Sequence, residues 1–199
     1  PFIGADAESF SRTKRRHDYP ILAPKDTMMD TLIKNGYKVY ATGKIDDLFG
    51  NRGISKTHHS VFNMESIKAL VDFLDEDFTG FLFANLVEFD MTYGHRNDAR
   101  GYARKLEEFD AYLPTVRSKM KDSDIGMIVA DHGVDPTTKS TDHSREYIPL
   151  LVFGKLVKND VNLGVRQSFA DVAATIGEIF SVTPPSIGES FLQEIYSGK

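Results

Sequence analysis

The sequence predicts an α/β fold built on a largely parallel, buried sheet with helices packed around it. Three observations lead there. Short apolar runs of strand length alternate along the chain with segments of helical periodicity. Those runs are mostly apolar throughout, as strands covered on both faces are. The 199 residues are 41% hydrophobic and 27% charged, which is enough chain for a buried core and too apolar for disorder.

The elements follow in order. Residues 1–24 read as a basic loop, with Arg12, Lys14, Arg15, Arg16 and His17 close together and bounded by Pro20 and Pro24. Asp26 or Thr27 can cap a helix that runs through Leu32 and Ile33 and closes at Asn35-Gly36. Residues 37–41 form a strand that ends at Thr42-Gly43-Lys44. Asn63 is placed to cap a helix with Ile67, Leu70, Val71 and Leu74 at helical spacing. Residues 81–87 read as a strand. Residues 98–120 read as a charged helix whose apolar stripe is Tyr102, Leu106, Phe109 and Leu113, ended or kinked at Pro114. Residues 125–130 and 147–153 are short strands, and 170–180 is a helix with Val172, Ile176 and Ile179 inward and Asp171 in its first turn.

Composition removes several functions. There is no Cys, so disulfides, thiolate catalysis and sulfur-ligated metals are excluded. A net charge of −5 argues against a general nucleic-acid binder, and no stretch is apolar for the length a membrane-spanning helix needs. No internal repeat is visible. The chain opens Pro1-Phe2-Ile3-Gly4 without an initiator Met or a secretory leader, so a processed protein and a piece of a longer one are both open.

Ligands of parallel α/β sheets gather beyond the carboxyl ends of the strands. Three segments carry Asp and His there. Glu88 to His95 follows the 81–87 strand, Asp131-His132-Gly133 follows the 125–130 strand, and Thr141-Asp142-His143 precedes the 147–153 strand. Carboxylate oxygen with imidazole nitrogen and no sulfur suits Mn²⁺, Zn²⁺ or Mg²⁺. Each segment alone is equally an ordinary turn; it is their recurrence that points to a metal site.

Three longer strings carry a resemblance. They are Asn85-Leu86-Val87-Glu88-Phe89-Asp90-Met91-Thr92-Tyr93-Gly94-His95-Arg96-Asn97-Asp98, then Ala130-Asp131-His132-Gly133-Val134-Asp135-Pro136-Thr137, then Thr141-Asp142-His143-Ser144-Arg145-Glu146-Tyr147-Ile148-Pro149. With the 12–19, 43–49 and 168–176 segments, they resemble bacterial phosphopentomutase, of the alkaline phosphatase superfamily. The five-residue interval from Asp90 to His95 and the short one from His132 to His143 favour it over cofactor-independent phosphoglycerate mutase.

The resemblance implies an alkaline-phosphatase-like core lacking its N-terminal segment, with residues 1–22 the end of a cap domain and hinge and 23–199 the C-terminal part of the catalytic core. It implies that Asp90, His95 and His143 hold one Mn²⁺, and that Asp131 and His132 supply two ligands to a second. The nucleophilic Thr and a further Asp ligand have no counterpart in this chain, so the chain alone is expected to be inactive and to expose a sheet edge or face. The implied activity interconverts ribose or 2-deoxyribose 1-phosphate and the 5-phosphate, in nucleoside catabolism, in the cytoplasm, with a sugar bisphosphate activator. A monomer is expected, with no nucleic-acid or membrane partner. Lys44 is a candidate neighbour of the transferring phosphate or a plain surface Lys at a strand end. Arg12, Arg15 and Arg16 are candidates for the sugar phosphate or a solvated hinge. Asp98, Asp142 and Arg145 are candidates for orienting the imidazoles, or for loop capping. A metal-dependent phosphatase or phosphodiesterase, or a phosphoglycerate mutase-like enzyme, is the alternative.

Overall fold

The computed structural model describes residues 2–13, 19–184 and 187–198. Its elements in chain order are β1 (Phe2–Ile3), β2 (Ser11–Arg12), α1 (Met28–Lys34), β3 (Lys38–Gly43), α2 (Ile45–Phe49), β4 (Lys56–His59), α3 (Asn63–Leu74), β5 (Gly80–Ala84), α4 (Ala99–Lys119), β6 (Gly126–Val129), β7 (Leu150–Phe153), α5 (Ala170–Ile179) and α6 (Leu192–Ile195). A π-helical turn, Phe89–Tyr93, and a 3₁₀ turn, Gly94–Arg96, lie between β5 and α4.

The parallel sheet has the order β4-β3-β5. β3 is its centre, and its inward residues Val39 and Ala41 are fully buried against Met28, Met29 and Leu32 of α1, Ile45 of α2 and Ile176 of α5. β3 and β5 run in register from Lys38 against Gly80 to Thr42 against Ala84. The ladder continues past the named strands, with Asn85 N–H donating to the Thr42 carbonyl at 3.1 Å and Ser60 N–H to the Gly43 carbonyl at 3.0 Å. Gly43 makes this approach possible: it has φ +82°, and a Cβ there would lie 2.1 Å from the Asn85 carbonyl oxygen. The carboxyl edge therefore gathers Lys44, His59 and the start of the 85–98 segment.

Caps explain the helix boundaries. Thr27, not Asp26, caps α1. Its N–H and hydroxyl donate to Asp30 Oδ2 at 2.7 and 2.8 Å, and its hydroxyl accepts from Asp30 N–H. Arg52 closes over this cap, donating to Asp30 Oδ1 at 3.0 Å and to the carbonyls of Ala23 and Lys25. Burial works to raise the Asp30 pKa, but the hydrogen bonds from Thr27 and Arg52 together hold it below its ordinary value. Asn63 does not cap α3. Phe62 occupies that position, and Asn63 is the first helical residue, with its side chain turned to Glu88. α4 is capped by Asp98, which accepts from Gly101 N–H at 2.8 Å. Pro114 neither ends nor interrupts α4, which runs to Lys119. The proline removes one donor, and beyond it Lys119 reaches back to Asp75 at the end of α3 at 2.7 Å.

β6 and β7 form a separate antiparallel pair, with Gly126 opposite Phe153 and Val129 opposite Leu150. The sequence pattern does not distinguish this pair from further parallel strands. A parallel return needs a crossover, usually helical. The 130–149 connection holds no helix, only loops and an isolated bridge between Gly133 and Ser144, so the chain returns antiparallel. Met127, Leu150 and Val152 pack on a second cluster made by Phe191, Leu192 and Ile195, and Val172 and Ile179 of α5 reach that cluster too. Leu151, whose register sets it opposite Ile128 on the other face, is 57% exposed. β5 is an outer strand of its sheet. β1 and β2 form a small antiparallel ribbon, with Phe2 opposite Arg12. Among the described residues no helix is long and apolar enough to cross a membrane.

Candidate metal centre

Asp90 lies in the π-helical turn that follows β5, and His95 in the 3₁₀ turn after it. Extra-wide turns re-aim side chains that a regular helix would spread around its axis. Tyr93 and Phe89 act as the packing of this turn. The Phe89 ring meets Tyr102 of α4 at 5.4 Å, and Gly101 leaves room for Tyr93, whose ring a Cβ there would approach to 2.3 Å. Asn97 ends the turn at φ 52° and its amide donates to the Thr138 carbonyl at 2.9 Å, joining this segment to the 130–149 loop. The Tyr102 pKa is raised, first by burial and then by the Asp90 charge.

His143 arrives from that loop. One ligand atom each from Asp90, His95 and His143 lie within 4.8 Å of one another. The His95 and His143 Nε2 atoms are each 3.3 Å from Asp90 Oδ1. The other nitrogen of His95, Nδ1, faces the Thr141 carbonyl, which leaves Nε2 as the nitrogen directed at the cluster. Asp90 Oδ1 is buried and accepts no hydrogen bond. Such an oxygen costs about 1–3 kcal/mol or more when left unsatisfied. Donors bound to one ion at about 2.1 Å lie roughly 3.0–3.4 Å from each other, so the spacing of each nitrogen from this oxygen suits a shared divalent cation.

The remaining residues singled out from the sequence are placed as follows. The His132 ring stacks on His143 with centroids 3.6 Å apart, and its Nδ1 faces the Gly133 carbonyl at 3.2 Å. Asp131 does not join the cluster. Its side chain is 77% exposed and its Oδ2 lies 3.6 Å from His132 Nε2. Asp131 and His132 thus stand as two donors beside the three that converge. Lys44 sits at the start of α2, on the same carboxyl edge. Arg12 is in β2, while Arg15 and Arg16 lie outside the described residues. Asp98 is used as the α4 cap, so backbone carbonyls rather than that carboxylate face the imidazole Nδ1 atoms of His95 and His132.

Sequence reasoning missed a second group. Asp46, Asp47 and His59 also bring ligand atoms within 4.8 Å of one another, and His59 Nδ1 lies 2.9 Å from Asp46 Oδ1. The available signal was the Asp46-Asp47 pair after Gly43-Lys44. Its partner His59 is on β4, a polar, exposed strand that no hydrophobic pattern marks. Also missed was the pairing of Asn63 with Glu88.

Known proteins resemble this chain in sequence and in fold. The chain is 54% identical to a phosphopentomutase of Herpetosiphon aurantiacus over 195 residues, which cover 98% of the chain and 50% of that protein. It is 51% identical to a phosphopentomutase of Carboxydothermus hydrogenoformans over the same shares. The chain thus spans about half the length of the curated relatives it matches. A crystal structure of Leishmania mexicana phosphoglycerate mutase at low cobalt concentration superposes with a TM-score of 0.62 at 18% identity, covering 84% of this chain and 39% of that one, a likeness of fold. The profile of the metalloenzyme superfamily matches residues 12–184, so the cluster of nitrogen and oxygen donors at the carboxyl edge belongs to a chain that is a member of that superfamily.

Proposed function

We propose that this chain is the metal-holding C-terminal half of a phosphopentomutase, which interconverts a pentose 1-phosphate and its 5-phosphate. The observation that carries the reading is the convergence of Asp90, His95 and His143 in a chain about half identical to proteins of that name. Residues 1–22 are read as the end of a cap domain and its hinge, and 23–199 as catalytic core. The outer position of β5 and the exposed Leu151 on the β6–β7 pair support a core that a further segment completes.

In this reading Asp90, His95 and His143 hold one Mn²⁺, and Asp131 and His132 contribute to a second together with an Asp of the other half. When bound, the cations supply charge neutralisation at the attacking and leaving oxygens of a phosphoryl transfer. The chain's own residues do the orienting. The Thr141 carbonyl orients the His95 imidazole, and the stacked His132 and His143 rings keep the imidazoles together. In the same reading Lys44 neutralises a phosphate as a point charge, and Arg12, Arg15 and Arg16 grip the sugar phosphate. A phosphorylated Thr of the other half gives its phosphoryl group to O5 of the pentose 1-phosphate. The bisphosphate then returns the group on O1 to that Thr, leaving the 5-phosphate. A sugar bisphosphate activator, a monomeric state and a cytoplasmic setting in nucleoside catabolism belong to the same reading. The names of the curated relatives favour it over hydrolysis or phosphoglycerate chemistry.

The test is turnover of ribose 1-phosphate with Mn²⁺ present, preparations being checked by intact mass. The full-length protein is expected to form ribose 5-phosphate, and the 199-residue chain alone to form none. Sustained turnover by the chain would falsify the assignment of the nucleophile to the other half. Release of inorganic phosphate without 5-phosphate from the full-length protein would identify a hydrolase instead.

A further inference from the structure

Resting on that reading, we infer that Glu88 and Asn63 are positioning residues that set the metal-ligand turn. Two helical starts meet here, and each leaves backbone N–H groups without an intrahelical acceptor. The first N–H of α3, that of Asn63, donates to Glu88 Oε2 at 2.6 Å. The Glu88 N–H, at the entrance to the π-helical turn, donates to Asn63 Oδ1 at 3.0 Å. Each residue thus caps the other's segment, across 25 positions of sequence. Both are buried.

The cap at Phe62 explains the need. Phe62 has no side-chain acceptor, so α3 takes its capping carboxylate from another segment. A carboxylate there also complements the positive end of the helix. Glu88 Oε1 lies 3.9 Å from Lys105 Nζ of α4, a second cationic neighbour. Asp90 follows Glu88 by two residues, and its Oδ1 must meet two Nε2 atoms at 3.3 Å. The strand end is fixed at Asn85 by the Thr42 carbonyl. The Glu88–Asn63 pair fixes the other end of the short link before Asp90, so the carboxylate is aimed before any cation arrives. Support of this kind for a metal ligand is worth about 10- to 100-fold in metal affinity.

The experiment measures Mn²⁺ affinity by electron paramagnetic resonance of the free ion, in the protein at its full natural length. Amide hydrogen exchange at positions 63 and 88 is followed in parallel. Glu88→Ala is expected to weaken Mn²⁺ binding about tenfold or more in the folded fraction and to speed exchange at Asn63. Glu88→Gln keeps an acceptor oxygen in place and is expected to restore affinity to within about threefold of wild type. Asn63→Ala leaves the carboxylate bond to the backbone and is the variant to use if Glu88→Ala does not fold; a loss of about threefold to tenfold is expected. A purely structural role would lower stability and leave affinity unchanged. Folded Glu88→Ala or Asn63→Ala protein that binds Mn²⁺ like a binding-competent wild type overturns this inference alone. A wild type that binds no Mn²⁺ overturns the metal-centre reading with it.

Discussion

Two regions bring donors to this centre, and they are held in opposite ways. The 85–98 segment, with Asp90 and His95, hangs from the parallel ladder through Asn85, is locked to α3 through Glu88, and ends in the Asp98 cap of α4. The 130–149 segment, with Asp131, His132 and His143, is a loop carrying the Gly133–Ser144 bridge and a turn in which Asp135 accepts from Thr137. The Asp90 side chain is 31% exposed, and that of His143, the loop's donor to the cluster, is 49% exposed. The contrast teaches where binding strength resides. A donor already fixed by the fold adds affinity at little entropic cost, whereas a donor on a loop must be ordered when the cation binds.

The strongest way to break the contrast is to dislodge the ladder end. Gly43→Ala puts a Cβ against the Asn85 carbonyl on a backbone that disfavours one. It is expected to cost about 2–3 kcal/mol in urea denaturation and to loosen Asp90 as well. A loss below about 0.5 kcal/mol would show that the ladder does not anchor the first region.

A smaller effect sharpens the comparison from the far side of the sheet. Asp30→Asn removes the charged partner of Thr27 and Arg52 in α1. It is expected to cost about 1 kcal/mol at neutral pH and to leave Mn²⁺ affinity alone. The Asp30 pKa is lowered in the folded chain, so its contribution is present above the unfolded value of about 3.9 and is lost as pH falls through the folded value. Denaturation at neutral and strongly acid pH checks this: the gap between wild type and variant closes in acid. A gap that persists there would assign the effect to packing.

Much of the sheet side was legible because hydrophobic pattern and caps agree on it. Thr27, the 37–41 run and Asn35-Gly36 mark α1 and β3 without tertiary help. β4 was not legible, since Lys56-Thr57-His58-His59 is exposed and joins the sheet through its backbone. Asn63 looked like a cap because its side chain suits that role locally; a partner 25 positions away claims it instead. Pro114 looked like a stop because propensity ignores what lies beyond it. At the site, strand ends marked three Asp/His segments, and the resemblance to phosphopentomutase singled out Asp90, His95, Asp131, His132 and His143 within them. The sequence could not tell that Asp131 turns to solvent, nor that Asp46 meets His59, because parallel pairing of β3 and β4 makes that second encounter.

The most direct test of the three-donor centre is calorimetry of Mn²⁺ binding to the chain, its His143→Ala variant and its Asp131→Ala variant. The convergence on Asp90 Oδ1 predicts that the wild type binds, that His143→Ala loses at least about tenfold, and that Asp131→Ala stays within about threefold. Equal binding by wild type and His143→Ala would contradict the assignment of Asp90, His95 and His143 to one cation.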